Sequence, residues 1–194
     1  MRTARLLLFI LNLLFVIGLA VGTVLIFMPQ SLADIDRTDE DGIVTGDLLE
    51  KANRAILSGR AFKCSEKALN DHLRLVINAR EADGFEIFSE FKRLLVQLNE
   101  NSIEIIFERD VLGMTSTVSA QLAIKVFTEG SSKMTEVKVI GGKFGSLPVT
   151  RNFVGLIRKA LLNVGNVLVP EKEMLSHLGG ITIRDGWLIL KPHV

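Results

Sequence analysis

The sequence predicts an α+β protein: an N-terminal transmembrane helix followed by a curved antiparallel sheet with helices packed on one face. Three observations predict it. An apolar run without a charge fills Leu6 to Met28. Behind it, segments with helical spacing of apolar residues give way to segments with a period of two. The chain closes on Asp185-Gly186 between two apolar runs, the strongest short-range hairpin signal.

The first element is the run LLLFILNLLFVIGLAVGTVLIFM, in which Asn12 is the one strongly polar residue. As a helix it is about 35 Å long, enough to cross a hydrocarbon core of about 30 Å. It lacks the polar face that a soluble helix of this length carries. Arg2 and Arg5 precede it; Asp34, Asp36, Asp39, Glu40 and Asp41 follow, with Arg37 among them. The positive-inside rule puts the N-terminus in the cytoplasm and the rest outside. A cleaved secretory signal is the competing reading, because Ser31-Leu32-Ala33 has a small-x-small pattern. The run exceeds the usual apolar core of a signal peptide, about 7–15 residues, which favours a retained anchor. Gly18 and Gly22 form a GxxxG pattern that can pair two helices. The expected organisation is a cytoplasmic tip and anchor over 1–28, an acidic linker over 29–44 and an extracytoplasmic domain over 45–194.

In that domain, Thr45 caps a first helix with Asp47 in its first turn. Leu48, Leu49, Ala52, Ile56 and Leu57 supply its apolar positions, and Gly59 lies near its end. Ala61 to Cys64 reads as extended. Ser65 is the N-cap of a second helix, with Glu66 in the first turn and Leu69, His72, Leu73, Val76 and Ile77 on one face as far as Arg80. Glu81 to Gly84 is a turn. Phe85 to Leu98 fits two patterns: Phe88, Phe91, Leu94, Leu95 and Leu98 match a helix, whereas Phe85 and Ile87 match a strand. A strand followed by a helix is the expectation.

The period then becomes two. Ile103, Ile105 and Phe107 alternate with Glu104 and Glu108, and Val118, Ala120, Leu122, Ile124 and Val126 alternate with Ser119, Gln121 and Lys125. Such strands are apolar on one face and wet on the other. Glu129-Gly130-Ser131-Ser132 is a hairpin loop, and Met134 to Lys143 returns as the antiparallel partner. Gly145 to Pro148 breaks the sheet. Thr150 caps a third helix, Arg151 to Asn163, with Phe153, Val154, Ile157, Ala160, Leu161 and Val164 apolar. A short helix over Glu171 to Leu178 ends at Gly179-Gly180, and the terminal hairpin follows.

Composition excludes several functions. The net charge is +1 overall. Without Arg2 and Arg5, 21 basic residues face 22 acidic ones, so no nucleic-acid partner is expected. Eleven Phe, one Trp and no Tyr leave little for stacking bases or sugars. The single cysteine, Cys64, excludes an internal disulfide and reads as a small buried hydrophobe. His72, His177 and His193 have no His or Cys at ligand spacing, so no metal site is expected; His72 reads as a packed histidine. There is no GxSxG, P-loop or GxGxxG leading into a helix. No catalytic residue and no cofactor are therefore expected. The glycines of Gly141-Gly142-Lys143-Phe144-Gly145 read as a turn or bulge at the sheet end. Glu104 and Glu108 read as a solvated face. Arg151, Arg158 and Lys159, with Lys138 and Lys143 near in sequence, also read as solvated surface, with lipid headgroups as the alternative.

Three patterns together resemble a known family. Ser65, Glu66, Ala68, Leu69, Asn70 and Leu73 form S-E-x-A-L-N-x-x-L. Gly142, Gly145, Leu147, Pro148 and Val149 form G-x-x-G-x-L-P-V. Ile181, Ile183, Gly186, Leu188 and Leu190 form the closing I-x-I-x-x-G-x-L-x-L. Together, over about residues 45 to 190, they resemble the YpmS-like group of bacterial single-span membrane-anchored proteins. The resemblance implies a bacterial extracytoplasmic protein, and no catalytic residues are carried over with it.

Two functional expectations follow. In the first, the sheet and its helices enclose an apolar groove for a lipid or acyl chain, with Phe153, Ile157, Leu161, Trp187 and Ile189 as candidate lining residues. The two-faced apolar pattern of the last hairpin motivates it. In the second, the domain is a structural or adaptor subunit of a cell-envelope complex. The lipid bilayer is a partner in both.

Overall fold

The structure is a computed structural model that describes residues 2–32, 35, 47–80, 91–111, 113–129, 132–155, 165–166 and 168–193. Helix α1 spans Arg2–Phe27; α2, Leu48–Leu57; and α3, Glu66–Arg80, with strand β1, Phe62–Ser65, between the last two. A meander follows: β2 (Phe91–Asn99), β3 (Ser102–Val111), β4 (Met114–Glu129), β5 (Ser132–Phe144) and β6 (Leu147–Thr150). Helix α4 covers Arg151–Val154 and α5 covers Val169–Ser176, before β7 (Leu178–Arg184) and β8 (Trp187–Pro192).

The fold is α+β. Its strands form two antiparallel sheets, where the sequence suggested one. The larger has the order β2-β3-β4-β5-β6 and the smaller β1-β8-β7. In the larger sheet Leu94, Val96, Leu98 and Phe107 share one face, where Leu73 and Ile77 of α3 and Ile183 of β7 close the main core. A second cluster joins Ala52 and Ile56 of α2 to Met174 of α5 and Leu190 of β8. The i, i+4 spacing of Ala52 and Ile56 turns both inward. Leu57, one position further round, is 82% exposed, contrary to its expected place on the buried face.

Three further expectations need correction. Residues 91–98 are strand, not helix. Leu94, Leu95 and Val96 are all buried, because both faces of β2 are covered, and a doubly covered strand loses the alternation that identifies it. Gly145 to Pro148 does not break the sheet: Gly145 and Ser146 form a turn, and β6 pairs back on β5 with Phe144 opposite Leu147. Gly179 and Gly180 belong to β7 rather than to a helix end. β4 and β5 pair antiparallel as expected, but up to Glu129 opposite Ser132, so those two residues belong to the strands rather than to the loop; the Asp185-Gly186 hairpin forms as expected. Thr45, the 81–84 turn, Phe85, Ile87 and Phe88, and residues 156–164 of the expected third helix lie outside the described residues.

The S-E-x-A-L-N motif has a structural use. Ser65 Oγ accepts from Ala68 N–H at 3.2 Å, the expected N-cap. The Asn70 amide bonds both backbone groups of Val96: its Oδ1 accepts from the N–H at 2.7 Å and its Nδ2 donates to the C=O at 2.8 Å. Glu66 Oε2 accepts from Leu98 N–H at 2.6 Å, and Gly186 N–H donates to Leu98 C=O at 2.9 Å. From Val96 to Leu98 the outer edge of β2 is thus closed by side chains and by a turn, which removes a stretch of edge that would otherwise invite pairing.

Candidate functional site

The other face of the large sheet carries Glu104, Ile106 and Glu108 of β3 with Thr117, Ser119 and Gln121 of β4, placed together by the register Glu104↔Gln121, Ile106↔Ser119 and Glu108↔Thr117. Alternation makes this the polar face, and solvation was expected. The structure overturns that: Glu104 is 5% exposed, and Thr117, Ser119 and Glu108 are buried. The cover comes from the chain leaving α1. Gln30 N–H donates to Thr117 Oγ1 at 3.0 Å, and Gln30 Nε2 donates to Ser119 Oγ at 3.3 Å. Leu32 and Ile35 pack against Leu95 and Ile106. The described part of the expected acidic linker is therefore a strap across the sheet.

The end of α1 joins the same seam. Ser146 N–H donates to Leu25 C=O at 2.9 Å, and Ser146 Oγ donates to Met28 C=O at 3.1 Å. These carbonyls belong to the last turn, which has no partner within the helix. Gly145 has φ of 55°, and a Cβ there collides with the carbonyl oxygens of Leu25, Ile26 and Met28. The glycine is required by both conformation and space. Its N–H donates to Thr117 C=O at 2.7 Å. At Gly142 a Cβ collides with the Ser119 carbonyl oxygen. The glycine run therefore serves close approach, with a bulge opposite Gln121 and Leu122.

Charge in the seam is balanced. Ser119 Oγ donates to Glu104 Oε1 at 2.6 Å, and Lys143 Nζ lies 3.2 Å from the same oxygen. Arg93 Nε donates to Glu108 Oε2 at 2.7 Å. A buried carboxylate is tolerated only with such partners. Lys143 is thus taken up by Glu104 rather than lying free in a basic surface. Arg151 and Lys138 are exposed, and Arg158 and Lys159 lie outside the described residues.

The candidate groove residues are not gathered in one place by what is described. Ile157 and Leu161 lie outside the described residues, and Phe153 is described only as backbone, in α4. Trp187 and Ile189 lie on the small-sheet face opposite Leu188 and Leu190, the β8 residues that enter the core clusters. Trp187 is 41% exposed, with Lys63 Nζ 3.7 Å from its ring centroid. Sequence reasoning missed a different apolar surface. On the core-side face of the β4–β5 hairpin, Leu122 pairs with Val139 and Ile124 with Val137. Leu122, Ile124 and Val139 are half-buried and Val137 is 56% exposed. The period-two pattern that identified β4 already placed Leu122 and Ile124 on this face.

His72 is buried, its Nε2 3.1 Å from Glu171 Oε1, joining α3 to α5. His177 and His193 are exposed. Cys64 is buried, and desolvation pushes its thiol up to about 11, away from nucleophilic chemistry at neutral pH. Burial also raises the Glu66 carboxyl, against the opposing effect of the Leu98 N–H bond. Among the described residues, no three His, Cys, Asp or Glu side chains group as metal ligands.

Leu6–Phe27 of α1 is long and apolar enough to cross a membrane, and none of its most apolar stretch is buried within the protein. A signal sequence meets the same criterion of length and composition. No protein-family model matches the chain. No curated protein matches it.

Proposed function

We propose that the protein is a single-pass, membrane-anchored, non-enzymatic domain. It stands outside a bacterial cytoplasmic membrane, with its N-terminus in the cytoplasm, and binds a lipid or other apolar ligand between sheet and helices. The seam supports retention of the anchor. Cleavage after Ala33 would remove Gln30 and Leu32 and take their contacts from Thr117, Ser119 and the Leu95–Ile106 cluster, which favours the reading in which the segment is kept. The flanking charges support the orientation. The resemblance to the YpmS-like group agrees with this reading, although Ser65, Glu66 and Asn70 of its motif serve as cap and clamp.

The ligand reading rests on one observation. The sheet face that forms the core beneath α3 continues along β4 and β5 as Leu122, Ile124, Val137 and Val139, half-buried or exposed. An apolar strip continuous with a core fits an acyl chain. The test uses the full chain in native membranes with a lipid bearing a photoreactive group in its acyl tail. Crosslinks on peptides spanning Leu122 to Val139, besides those on α1, are expected. Crosslinks confined to α1 would refute the ligand reading. The adaptor reading would then stand on another observation: among the described residues, β6 pairs with β5 only from Gly141 to Phe144, leaving the outer edge of Ser132 to Ile140 open to a partner strand.

A further inference from the structure

The β7–β8 and β3–β4 hairpins turn on opposite chemistry. The terminal one turns on Asp185-Gly186, and Asp185 Oδ1 accepts from Glu100 N–H at 3.0 Å. The β3–β4 hairpin turns through Val111-Leu112-Gly113-Met114, four residues without a polar side chain. Leu112 lies outside the described residues; Gly113 has φ of 78° and Met114 is 49% exposed. Two-residue hairpin turns in water favour Asn, Asp and Gly, so an apolar turn needs a reason.

Its position supplies one. Thr117 is level with the end of α1, since Gln30 N–H reaches its hydroxyl and Gly145 N–H its carbonyl while Ser146 holds Leu25 and Met28. From Thr117, β4 runs two ways. Towards Glu129 it extends about 40 Å, and that arm carries Lys125, Lys133, Glu136 and Lys138. An arm with that many charges does not enter hydrocarbon. It therefore points away from the bilayer or along it, which turns the short end of the strand towards the bilayer or level with its surface. Met114 lies on that short end, about 10 Å beyond Thr117, within reach of the headgroup layer.

We propose that the β3–β4 turn, through Met114 and the backbone of Gly113, is a second membrane contact that sits in the headgroup layer beside the exit of α1. The inference rests on the retained anchor but not on the ligand strip. With α1 it gives the domain two points of attachment, which together with the seam fix its orientation on the bilayer. Lys92 stands behind the turn, its Nζ 2.9 Å from Thr115 Oγ1 and 3.3 Å from Asp110 Oδ2. This charge pair, one residue from Met114, sets the contact in the headgroup layer rather than deeper.

The test uses the full chain reconstituted in phosphatidylcholine vesicles containing phosphatidylglycerol. Met114→Cys and, as a control on the far arm and off the apolar strip, Lys138→Cys each carry an environment-sensitive fluorophore; Cys64 is buried and stays unlabelled. The Met114 probe is expected to emit further to the blue than the Lys138 probe and to be quenched several-fold more by a headgroup-region nitroxide lipid. As a check without substitution, a lipid with a photoreactive group near its headgroup is expected to mark the peptide containing Met114 in the unlabelled chain. Water-like emission and iodide quenching equal to the control, with the chain still floating with the vesicles, would overturn the second contact alone. A chain that does not float with the vesicles would overturn the anchor reading and this inference together.

Discussion

Ser119 Oγ donates a hydrogen bond to Glu104 Oε1 across 2.6 Å, although the two residues are not opposite each other: Glu104 faces Gln121 and Ser119 faces Ile106. The bond is a diagonal between neighbouring strands, and both partners are buried. Lys143, from the next strand, completes it at 3.2 Å. Three strands thus converge on one carboxylate beneath the strap that leaves α1.

Glu104→Ala is expected to cost about 2–3 kcal/mol, since it removes a charged acceptor from a buried hydroxyl and strands Lys143. Glu104→Gln retains an acceptor for Ser119 and costs less. Lys143→Met is also expected to cost less than Glu104→Ala, because Lys143 is partly solvated and its pairing is screened. Urea unfolding of the full chain in nanodiscs orders the three; equal losses would contradict this account of the seam.

Asn70 is predicted to matter more than an ordinary helix asparagine. Asn70→Ala leaves both backbone groups of Val96 without partners in a buried position, at about 2–4 kcal/mol in total. Asn70→Asp still accepts from Val96 N–H but sets a carboxylate oxygen against Val96 C=O, so it is not a conservative replacement. Hydrogen exchange at the Val96 amide reads this directly, and protection unchanged in Asn70→Ala would refute the clamp.

Glu66 gives a pH signature. Desolvation raises its carboxyl above the ordinary value of 4.5 in the folded protein. The folded state therefore binds a proton more tightly than the unfolded one. Stability is expected to fall as pH rises from about 4.5 to the raised value, and to be independent of this group above it. Glu66→Gln keeps an acceptor for Leu98 N–H and should remove that slope. Denaturant midpoints across this range for both proteins test it; a slope retained in Glu66→Gln would assign it to another group.

Cys64 should resist thiol reagents at pH 8 in the folded protein, because its thiol is buried and pushed up to about 11. Labelling by iodoacetamide is expected to track unfolding, rising steeply at the denaturant midpoint. Rapid modification of the native chain would place Cys64 at the surface.

Most single elements were legible in the sequence, because their signals are local. Ser65 caps its helix through a residue three positions away, and Asp185-Gly186 turns a hairpin between its own neighbours. The strand β2 was misread because Leu94, Leu95 and Val96 are covered on both faces and so do not alternate. The seam was illegible for a different reason. Glu104 and Ser119 look solvated until Gln30, 87 positions before Thr117, is laid across them. Nothing within a strand announces what a distant segment will place on it. The candidate groove fared similarly: an apolar pattern on both faces of β8 does not say that Leu188 and Leu190 face the core while Trp187 stays exposed.

The strap also sets an order of events during biogenesis. Gln30 leaves the ribosome long before Thr117, Ser119 and Lys143 exist. By the time the meander emerges, the apolar helix and the strap are already complete. If the helix is held in a membrane, as proposed, the sheet closes onto a fixed tether. Assembly of the domain then depends on where that helix was placed, because a strap that cannot reach the sheet leaves a carboxylate and two hydroxyls without their cover.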